Sequence, residues 1–447
     1  MKKAVRRVLF YIFFGAFCIL APLIVLYTAG YRFSIKSGLD IDLDVGSLSI
    51  TSIPRRANLV IDGIPSRHRT PHVFQELTPG KHNVQITRTG FFPWEGSISI
   101  IPGLTTYIQH AVLFKQSNWT SVVRDLSTES IVAIYDETIA YTRTSTDKSE
   151  DALYILKRGS ENPHYVTKFT NKKPSQISWS HDGNYMLVTF PDFFEIYTAN
   201  GKYLSWPTSI TENIAVQDVR WDTNQNDILY ITMNQNDEEQ HLAVNIRKED
   251  IIEQYPQRIL GVVEDTTFYI KSLFASDILV GKRGNQEAEL AILPRSDYTL
   301  LDIHPPYLVL QDGQGDLYFI HPAYQSVITT QAKQSHIDWN KNSDMLTYTN
   351  GGEINILTLS QQQRDLIWRS SEHVVNVLWH PTGQRIIFAT ETSVEAIDAY
   401  QYALVRNHVT LGDLERIEQI WLSENGDVLY VLGIQNTTRN LFSLRLK

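Results

Sequence analysis

A tryptophan followed by a short polar turn and an apolar strand recurs through the last three quarters of the chain. The copies read QISWSHDGNYMLVTF, DVRWDTNQNDILYIT, HIDWNKNSDMLTYT, NVLWHPTGQRIIFAT and QIWLSENGDVLYVL, around Trp179, Trp221, Trp339, Trp379 and Trp421. The steps from 179 to 221, from 339 to 379 and from 379 to 421 are 42, 40 and 42 residues. Short strands and turns repeated at this period are typical of β-propeller blades. The pattern therefore predicts an all-β chain dominated by a propeller.

The long gap in the repeat fixes the number of blades. Trp221 and Trp339 are 118 residues apart, which fits three blade steps better than two. Two blades without the tryptophan are therefore expected near 277–294 and 307–322, and one more at 138–158. The sequence thus predicts eight blades over residues 116–447. Seven is the alternative, because the pattern near 265–297 is the weakest.

The end of the chain indicates how the ring closes. The last repeat stops at LFSLRLK (441–447), which reads as a third strand with no fourth after it. The segment TSVVRDL (120–126) precedes the first complete repeat. We predict that this segment supplies the outer strand of the last blade, because pairing the two removes two open sheet edges.

Residues 46–115 have a different pattern. Short runs such as NLVID, KHNVQITR and GSISII alternate apolar and polar residues, as half-buried strands do. Turn residues separate the runs at Ile61-Asp62-Gly63, Thr70-Pro71, Thr78-Pro79-Gly80 and Thr89-Gly90. About seventy residues of this kind predict a small β-sandwich.

The N-terminal part predicts a membrane anchor. Residues 1–7 carry Lys2, Lys3, Arg6 and Arg7, and residues 8–29 form an apolar run without charge. Twenty-two helical residues span about 33 Å, enough for a bilayer core. The basic tail is expected to stay in the cytoplasm, so that residues 30–45 form a linker or strand and the two β-domains lie outside the cytoplasmic membrane. The alternative is a cleaved signal peptide, but such apolar regions are normally shorter and end in small residues, whereas Tyr27 is bulky.

The small domain resembles the PEGA domain, an exported β-module likened to parts of surface-layer proteins. The matching features are SIPRRANLVIDG, then RTP, then LTPGKHNVQITRTGFFPWEGSI. One departure is that the name-giving Pro-Glu-Gly-Ala is Pro54-Arg55-Arg56-Ala57 here. Because Arg56 replaces the glycine, the turn is expected to form without a positive φ.

The repeats resemble the WD-like propeller of TolB-type periplasmic proteins, whose blades carry Trp-Ser-Pro-Asp-Gly. The best copies are Trp179-Ser180-His181-Asp182-Gly183 and Trp379-His380-Pro381-Thr382-Gly383. An anchor, a PEGA domain and such a propeller together look like uncharacterised bacterial envelope proteins. The resemblance implies place and architecture more than activity.

Composition narrows the possible partners. The chain has 447 residues, 43% hydrophobic and 11% aromatic, which is ample for two cores. Without the four N-terminal bases, 36 Lys and Arg face 49 Asp and Glu. That excess of acid argues against nucleic acid and against close electrostatic binding to anionic lipid. The single cysteine, Cys18, lies in the predicted anchor, so no intrachain disulfide is expected.

Motifs of catalysis are missing from the sequence. There is no Gly-x-Ser-x-Gly, no phosphate-binding Gly-rich loop, no His-Glu-x-x-His and no cysteine pair for a metal. The blade pattern of quinone-dependent dehydrogenases, Ala-x-Asp…Thr-Gly…Trp, is also missing. We therefore predict no catalytic residues, no cofactor and no metal, and no ligand-binding residue is assigned.

Five features have both a functional and a structural interpretation. Asp40–Gly46 fits a strand with one wet face better than a calcium loop, because its glycine is one position late. Phe91–Trp94 is interpreted as core closing the sandwich in preference to a carbohydrate platform, and the blade tryptophans as packing between blades. His68 and His72 flank Thr70-Pro71, which forbids a shared helical face for a metal. Residues 234–240 are read as an exposed hairpin loop.

The sequence favours a non-enzymatic, single-pass envelope protein. In this reading the propeller binds protein or glycan on one face, and the PEGA-like domain is a spacer or wall contact. The alternative is an envelope sensor or assembly factor of the TolB type. A third hypothesis is a glycan-active enzyme, which would need Asp and Glu clustered in the propeller channel.

Overall fold

The computed structural model describes most of the chain after residue 44. It covers residues 45–447 except 145–149, 161, 171, 205–214, 223–224, 236–237, 264, 305, 322, 324–325, 331–335 and 402–405, and before them residues 11, 13–22, 24, 32–34 and 40–42. Residues 11, 13–22 and 24 are helical and belong to the predicted anchor 8–29, whose other residues lie outside the described part, as does the tail 1–7. Among the residues described, no helix combines the length and apolar character needed to cross a bilayer.

The small domain is a sandwich of two sheets. Its strands are β3 (Gly46–Ile53), β4 (Asn58–Ile61), β5 (Ile64–Arg69), β6 (His72–Leu77), β7 (Gly80–Thr87), β8 (Trp94–Ile100) and β9 (Thr105–Val112), preceded by the antiparallel pair β1 (Arg32–Ser34) and β2 (Asp40–Asp42). The sheets have the orders β6-β3-β9 and β5-β4-β7-β8. Leu48, Ile86, Trp94 and Ile108 come from both sheets and share one buried core. The predicted sandwich is therefore confirmed. Of the predicted strand at 40–46, Asp40–Asp42 is a strand, residues 43 and 44 lie outside the described part, and Gly46 begins β3.

From residue 120 onward, the described residues form eight four-stranded sheets. First strands of neighbouring sheets contact each other at β11 and β15, β23 and β27, β31 and β35, and β35 and β39, which places first strands around the centre of a ring. Blade 1 consists of β11 (Val132–Tyr135), β12 (Thr138–Thr144), β13 (Glu150–Lys157) and β14 (His164–Thr170), blade 2 of β15 (Gln176–Trp179), β16 (Tyr185–Thr189), β17 (Phe194–Thr198) and β18 (Tyr203–Leu204), and blade 3 of β19 (Ala215–Trp221), β20 (Ile228–Gln235), β21 (Glu238–Asn245) and β22 (Asp250–Tyr255). Blade 4 consists of β23 (Ile259–Val263), β24 (Thr266–Ser272), β25 (Asp277–Arg283) and β26 (Gln286–Leu293), and blade 5 of β27 (Thr299–His304), β28 (Tyr307–Gln311), β29 (Leu317–His321) and β30 (Ser326–Thr330). Blade 6 consists of β31 (Ile337–Trp339), β32 (Met345–Asn350), β33 (Glu353–Thr358) and β34 (Gln363–Arg369), and blade 7 of β35 (Val374–Trp379), β36 (Arg385–Thr390), β37 (Ser393–Asp398) and β38 (His408–Asp413).

Blade 8 is assembled from both ends of the propeller sequence. It consists of β39 (Arg416–Leu422), β40 (Val428–Gln435) and β41 (Thr438–Arg445), with β10 (Thr120–Val123) as the outermost strand. β10 runs antiparallel to β41, with Thr120 opposite Ser443 and Ser121 opposite Phe442. The predicted closing strand and the predicted count of eight are both confirmed in the described residues.

Apolar clusters join every pair of neighbouring blades. Leu187 of blade 2 packs with Leu229 of blade 3, for example. The last of these clusters contains Ile139 and Tyr141 of blade 1 together with Tyr430 and Leu432 of blade 8. The other six clusters link the remaining neighbours in order. Because the eighth cluster returns to blade 1, the ring is closed.

Four of the repeat tryptophans pack towards the preceding blade, as predicted. The indole N–H of Trp179 donates to the carbonyl of Ala133 at 3.2 Å, and the ring of Trp339 stacks on His304 at 4.1 Å. Trp221 and Trp379 lie in the clusters shared with blades 2 and 6. However, only Trp379 is fully buried. The other four are partly buried, because each indole lies where the inner strand ends at a face of the ring.

Trp421 departs from the predicted register. In blade 7, Trp379 is the last paired residue before the turn, opposite Ile386. In blade 8 that place belongs to Leu422, opposite Leu429, and Trp421 is one residue earlier. Since neighbouring residues of a strand point to opposite faces, Trp421 packs towards blade 1 instead of blade 7. The similar spacing in the sequence had concealed this shift of one residue.

In blades 2, 3, 6, 7 and 8 the turn after the inner strand begins with a buried polar residue. These residues are Ser180, Asp222, Asn340, His380 and Ser423, each at most 2% exposed. Their side chains accept hydrogen bonds from backbone N–H groups of the same turn, as Ser180 does from Tyr185 at 3.0 Å. Gly183 in the first of these turns has φ +67, and a Cβ there would come within 2.1 Å of Tyr135 in the preceding blade. The turn thus requires glycine both for its conformation and for the close approach of blades.

The turn at Pro54–Ala57 contradicts the expectation drawn from the sequence. Arg56 has φ +64, so the turn keeps the left-handed conformation although glycine is absent. The backbone N–H of Arg56 donates to the carbonyl of Thr70 at 2.8 Å, and Thr70 N–H donates to Ala57 O at 3.0 Å. These two bonds fix the turn against the backbone at Thr70. They outweigh the steric preference of an L-residue for negative φ.

This turn makes a test of stability possible. We expect Arg56→Gly to stabilise the protein by about 0.5–1 kcal/mol, because the steric cost of the left-handed region disappears while glycine adds some entropy to the unfolded chain. Arg55→Gly is the matched control, since Arg55 is also exposed and does not have a positive φ. Urea denaturation compares the two. A loss of stability in Arg56→Gly would contradict the steric argument.

Candidate functional site: a buried junction and an open face of the propeller

The direction of the strands defines two faces of the ring. Strands alternate in direction within a blade, so the turn after the first strand and the turn after the third lie on one face. The turn after the second strand and the link to the next blade lie on the other. We call the first the junction face, because the small domain contacts it, and the second the open face.

The junction contains a buried ion pair. Arg385 at the start of β36 and Asp398 at the end of β37 are 1% and 4% exposed, and their charged atoms Nε and Oδ1 are 2.7 Å apart. The indole N–H of Trp94 from the small domain donates to Oδ2 of Asp398 at 2.8 Å. Burial raises the pKa of Asp398, and the charge of Arg385 and the indole N–H oppose that effect. The small domain thus supplies a hydrogen bond that the buried carboxylate needs.

Aromatic contacts extend the junction. The guanidinium of Arg385 lies over the ring of Phe114 at 5.6 Å, and the edge of Phe114 meets His380 at 5.6 Å. Phe92 packs on the cluster between blades 7 and 8 that contains Phe114. The Lys115 N–H donates to Leu446 O at 2.9 Å. The small domain and blades 7 and 8 therefore share a continuous core.

The segment Phe91–Trp94 has the structural role that the sequence favoured. Trp94 is 1% exposed and lies in the sandwich core. A sugar cannot stack on a ring buried in this way. What the sequence did not indicate is that Trp94 and Phe92 also hold the propeller, since their partners come more than 280 residues later.

A groove lies beside the junction. It has a volume of about 710 Å³ and runs between the small domain and the end of blade 7. Its floor carries Gln85, Glu95 and Ser97, with Gln85 Nε2 donating to Glu95 Oε1 at 2.6 Å. Asn407 and His408 form its propeller side. Amide, hydroxyl and carboxylate groups of this kind can hydrogen-bond a polar ligand.

The open face carries an exposed apolar tip. The turn between β24 and β25 begins Leu273-Phe274, and these side chains are 44% and 98% exposed. In blade 3 the hairpin predicted at 234–240 is present, with Gln235 opposite Glu238, although its turn residues 236–237 lie outside the described part. The sequence did not single out Phe274, because one aromatic residue in a turn has no periodicity to distinguish it.

The innermost strands carry four carboxylates in the described residues. Asp218 is near Arg258 at 3.7 Å, Glu418 pairs with Arg439 at 2.8 Å, and Asp302 accepts from the N–H of Ile303 at 2.7 Å. Asp338 accepts from the N–H of Trp379 at 2.6 Å, and burial raises the pKa of Asp338 to about 6. Each of the four thus has a structural partner, and the negative charge of Asp302 also raises the pKa of Asp338.

His68 and His72 lie closer together than the sequence suggested. They belong to strands β5 and β6, and their rings stack at 4.0 Å with an angle of 8°. Partial burial and the charge of His68 lower the pKa of His72. In the described ranges, no group of three His, Cys, Asp or Glu side chains is arranged to hold a metal.

His380 gives the junction a predicted pH dependence. Burial lowers the pKa of His380 to about 4, whereas an unfolded histidine titrates near 6.5. As the pH falls from about 6.5 to about 4, the unfolded chain takes up a proton that the folded chain does not, so stability falls. Between pH 7 and pH 5, the free energy of unfolding should therefore fall by about 2 kcal/mol less in His380→Asn than in the unchanged protein.

Denaturation with urea at the two pH values measures this difference. Asparagine is a suitable replacement because Asn340 occupies the equivalent place in blade 6. The raised pKa of Asp338 acts in the opposite direction, since protonating it favours the folded state. That effect is present in both proteins, so it cancels in the comparison. Equal losses in the two proteins would contradict the burial of a neutral His380.

Comparison with known proteins agrees with this architecture. Residues 45–113 match the PEGA domain family. The solved structure of the Dos1 propeller is 15% identical and aligns over 74% of this chain and 95% of that one with a TM-score of 0.50. Sqt1 of Saccharomyces cerevisiae (10% identity, 75% and 100% coverage, TM-score 0.49) and a chain of the mitotic checkpoint complex (12%, 74% and 95%, 0.42) are also similar. A search of curated protein sequences gives no match.

At these identities the structural similarity concerns the fold alone. The Dos1 structure is a propeller, in agreement with the fold that the repeats predict. The chain therefore carries a PEGA domain at residues 45–113, followed by a β-propeller.

Proposed function

We propose that this protein is a membrane-anchored interaction platform of the bacterial cell envelope. Residues 8–29 would cross the cytoplasmic membrane with the basic tail inside, and both β-domains would lie outside. The propeller would bind an envelope protein on its open face without catalysis. The PEGA domain would act as the spacer between the propeller and the membrane. A sensor or assembly factor of the TolB type would use the same face.

The apolar helix supports the anchor. Its described residues include seven large side chains that are 56–72% exposed, namely Tyr11, Phe13, Phe14, Phe17, Ile19, Leu20 and Ile24. Exposing so many apolar groups to water is unfavourable by about 25 cal/mol for each Å². A bilayer around the helix would remove this cost. The excess of basic residues at positions 1–7 favours an N-terminus inside the cell.

The position of the PEGA domain supports the open face as the binding surface of the propeller. All the junction contacts lie at blades 7 and 8 on the junction face, together with the link to β10. The opposite face thus stays accessible beside the anchored domain. There Phe274 is 98% exposed next to Leu273. An aromatic side chain beside an aliphatic one is the kind of anchor that dominates binding at protein interfaces.

A photo-crosslinking amino acid at position 274 tests this surface in intact cells. We expect irradiation to join the protein to a partner through position 274. The matched control is position 165, because Tyr165 is 52% exposed near the start of the outermost strand of blade 1, at the end of that strand on the junction face. Phe274→Ser should also reduce recovery of that partner in a pull-down. Adducts at position 165 but not at 274 would contradict the use of the open face.

A reporter fusion tests the topology. Alkaline phosphatase fused after residue 447 should be active if the C-terminal domains are exported, and a cytoplasmic reporter at the same place should be inactive. Carbonate extraction should leave the full-length protein in the membrane pellet. The reverse reporter activities would contradict the orientation, and release of a shortened protein would support a cleaved signal peptide.

The groove beside the junction favours glycan as a second kind of partner. Its polar floor and its volume of about 710 Å³ suit a short saccharide segment. We expect the protein to be retained on purified cell-wall glycan. Glu95→Ala should lose this retention while its stability is unchanged, and that result would support this role. Retention that Glu95→Ala does not change would contradict binding in the groove.

A further inference from the structure

The loop between β8 and β9 exposes large apolar side chains. Ile101 and Leu104 in this loop are 52% and 58% exposed, and Tyr107 in β9 is 54% exposed. The core residues of the PEGA domain are almost inaccessible, and its other strongly exposed large apolar side chains, Ile64 and Val73, lie on β5 and β6. Exposed apolar residues that lie close together in a folded domain commonly mark a contact surface.

The loop lies where the chain enters the PEGA domain. The N–H of Gly103 donates to Val45 O at 2.9 Å, and the N–H of Ser47 donates to Leu104 O at 3.0 Å. Strands β3 and β9 are parallel and start beside this loop. Their other ends lead to the junction through Phe114. The loop and the propeller are therefore at opposite ends of the PEGA domain.

The pairing of β1 with β2 keeps this end close to the anchor. Arg32 is opposite Asp42, so most of the linker folds back on itself. Only three residue steps separate position 29 from Arg32, and three separate Asp42 from Val45. Val45 is consequently within about 27 Å of the end of the apolar run. A tether of this length, attached at the loop end of the domain, favours that end facing the membrane surface.

Charge keeps the propeller away from the membrane. Residues 45–113 contain 6 Lys and Arg against 3 Asp and Glu, whereas residues 116–447 contain 27 against 43. The acidic balance found in the sequence thus belongs to the propeller, which an anionic membrane surface repels. The bases do not orient the PEGA domain itself, because Arg55, Arg56, Arg69 and Arg88 lie at its propeller end.

We propose that the β8–β9 loop with Tyr107 is a membrane-contact surface, in which Ile101 and Leu104 enter the lipid interface beside the anchor. This inference rests on the proposed anchoring. Tyrosine is a residue that prefers the interface, because its ring is apolar and its hydroxyl polar. The contact would fix the PEGA domain upright on the bilayer, with the acidic propeller held away from the lipid.

Fluorescence of a labelled loop tests the proposal. The full chain with Cys18→Ser and Leu104→Cys is labelled with an environment-sensitive dye and reconstituted in vesicles of phosphatidylcholine and phosphatidylglycerol. Phe274→Cys in the same background is the matched control, since position 274 is exposed at the far face. We expect the emission of the dye at position 104 to shift to the blue and to be quenched by lipids that carry a doxyl group near the headgroup. The dye at position 274 should show neither effect.

The outcomes separate the surface from the anchor. A protein that floats with the vesicles but keeps an unquenched label at position 104 overturns the contact and leaves the anchor intact. A blue shift without quenching by doxyl lipid shows that protein, such as a second copy of the chain, covers the dye at position 104. That result also overturns the proposal. A protein that does not float with the vesicles overturns the anchor and, with it, the contact.

Discussion

Replacing Asp398 with alanine is expected to lower the free energy of unfolding by about 3–5 kcal/mol, because it leaves the charge of Arg385 buried without a partner. Arg385 is 1% exposed, so water cannot replace the carboxylate. The substitution also removes the acceptor of the Trp94 indole N–H. We expect the PEGA domain to separate from blade 7 in this variant. The PEGA domain and the propeller would then unfold in two separate steps.

Urea denaturation followed by tryptophan fluorescence measures both effects. Glu353→Ala is the matched control, since its partner Arg369 is largely exposed and exposed pairs contribute little. The double variant Arg385→Met with Asp398→Leu should recover much of the loss, because it removes both charges together. A loss in Asp398→Ala no larger than in the control would contradict the role of the buried pair.

Replacing Trp379 with alanine is expected to cost about 3–5 kcal/mol as well, the usual range for a large buried aromatic residue. Trp379 is 5% exposed in the cluster between blades 6 and 7. Trp179→Ala should cost less, because Trp179 is only half-buried. Leu422→Ala should affect the contact between blades 7 and 8, whereas Trp421→Ala should affect the closure between blades 8 and 1.

Thermal melting and partner recovery distinguish packing from binding in these variants. A lower melting temperature with recovery of the partner unchanged below it agrees with a packing role. A variant that loses the partner while it melts like the unchanged protein would make that tryptophan a binding residue. Such a result at Trp379 would contradict its assignment to the core.

Much of the fold follows from local patterns in the sequence. The repeat gives the blades because each copy has the same length of strand and the same turn chemistry, with a buried acceptor such as Ser180 after the tryptophan. The closing strand at β10 follows from counting strands. Trp421 was assigned to the wrong register, since a shift of one residue alters the face of a side chain but hardly alters the spacing of repeats.

The candidate site could be predicted only in part, because its members are far apart in the chain. The pattern around Trp94 indicates a core residue, but nothing in it indicates the acceptor Asp398, 304 residues later. The left-handed φ of Arg56 depends on hydrogen bonds to Thr70 that residue preferences do not reveal. The two faces of the ring are distinguishable only after the position of the PEGA domain is known.

The strand β10 also sets the order in which the protein can be completed. It is made early in synthesis, yet the strand that it pairs with begins at Thr438. Until then β10 has an unpaired edge, and blade 1 lacks the neighbour that covers Ile139 and Tyr141. Contacts between such distant segments form slowly, and open edges attract other strands. In a newly made chain this edge is therefore open to pairing with other strands until the last blade has been synthesised.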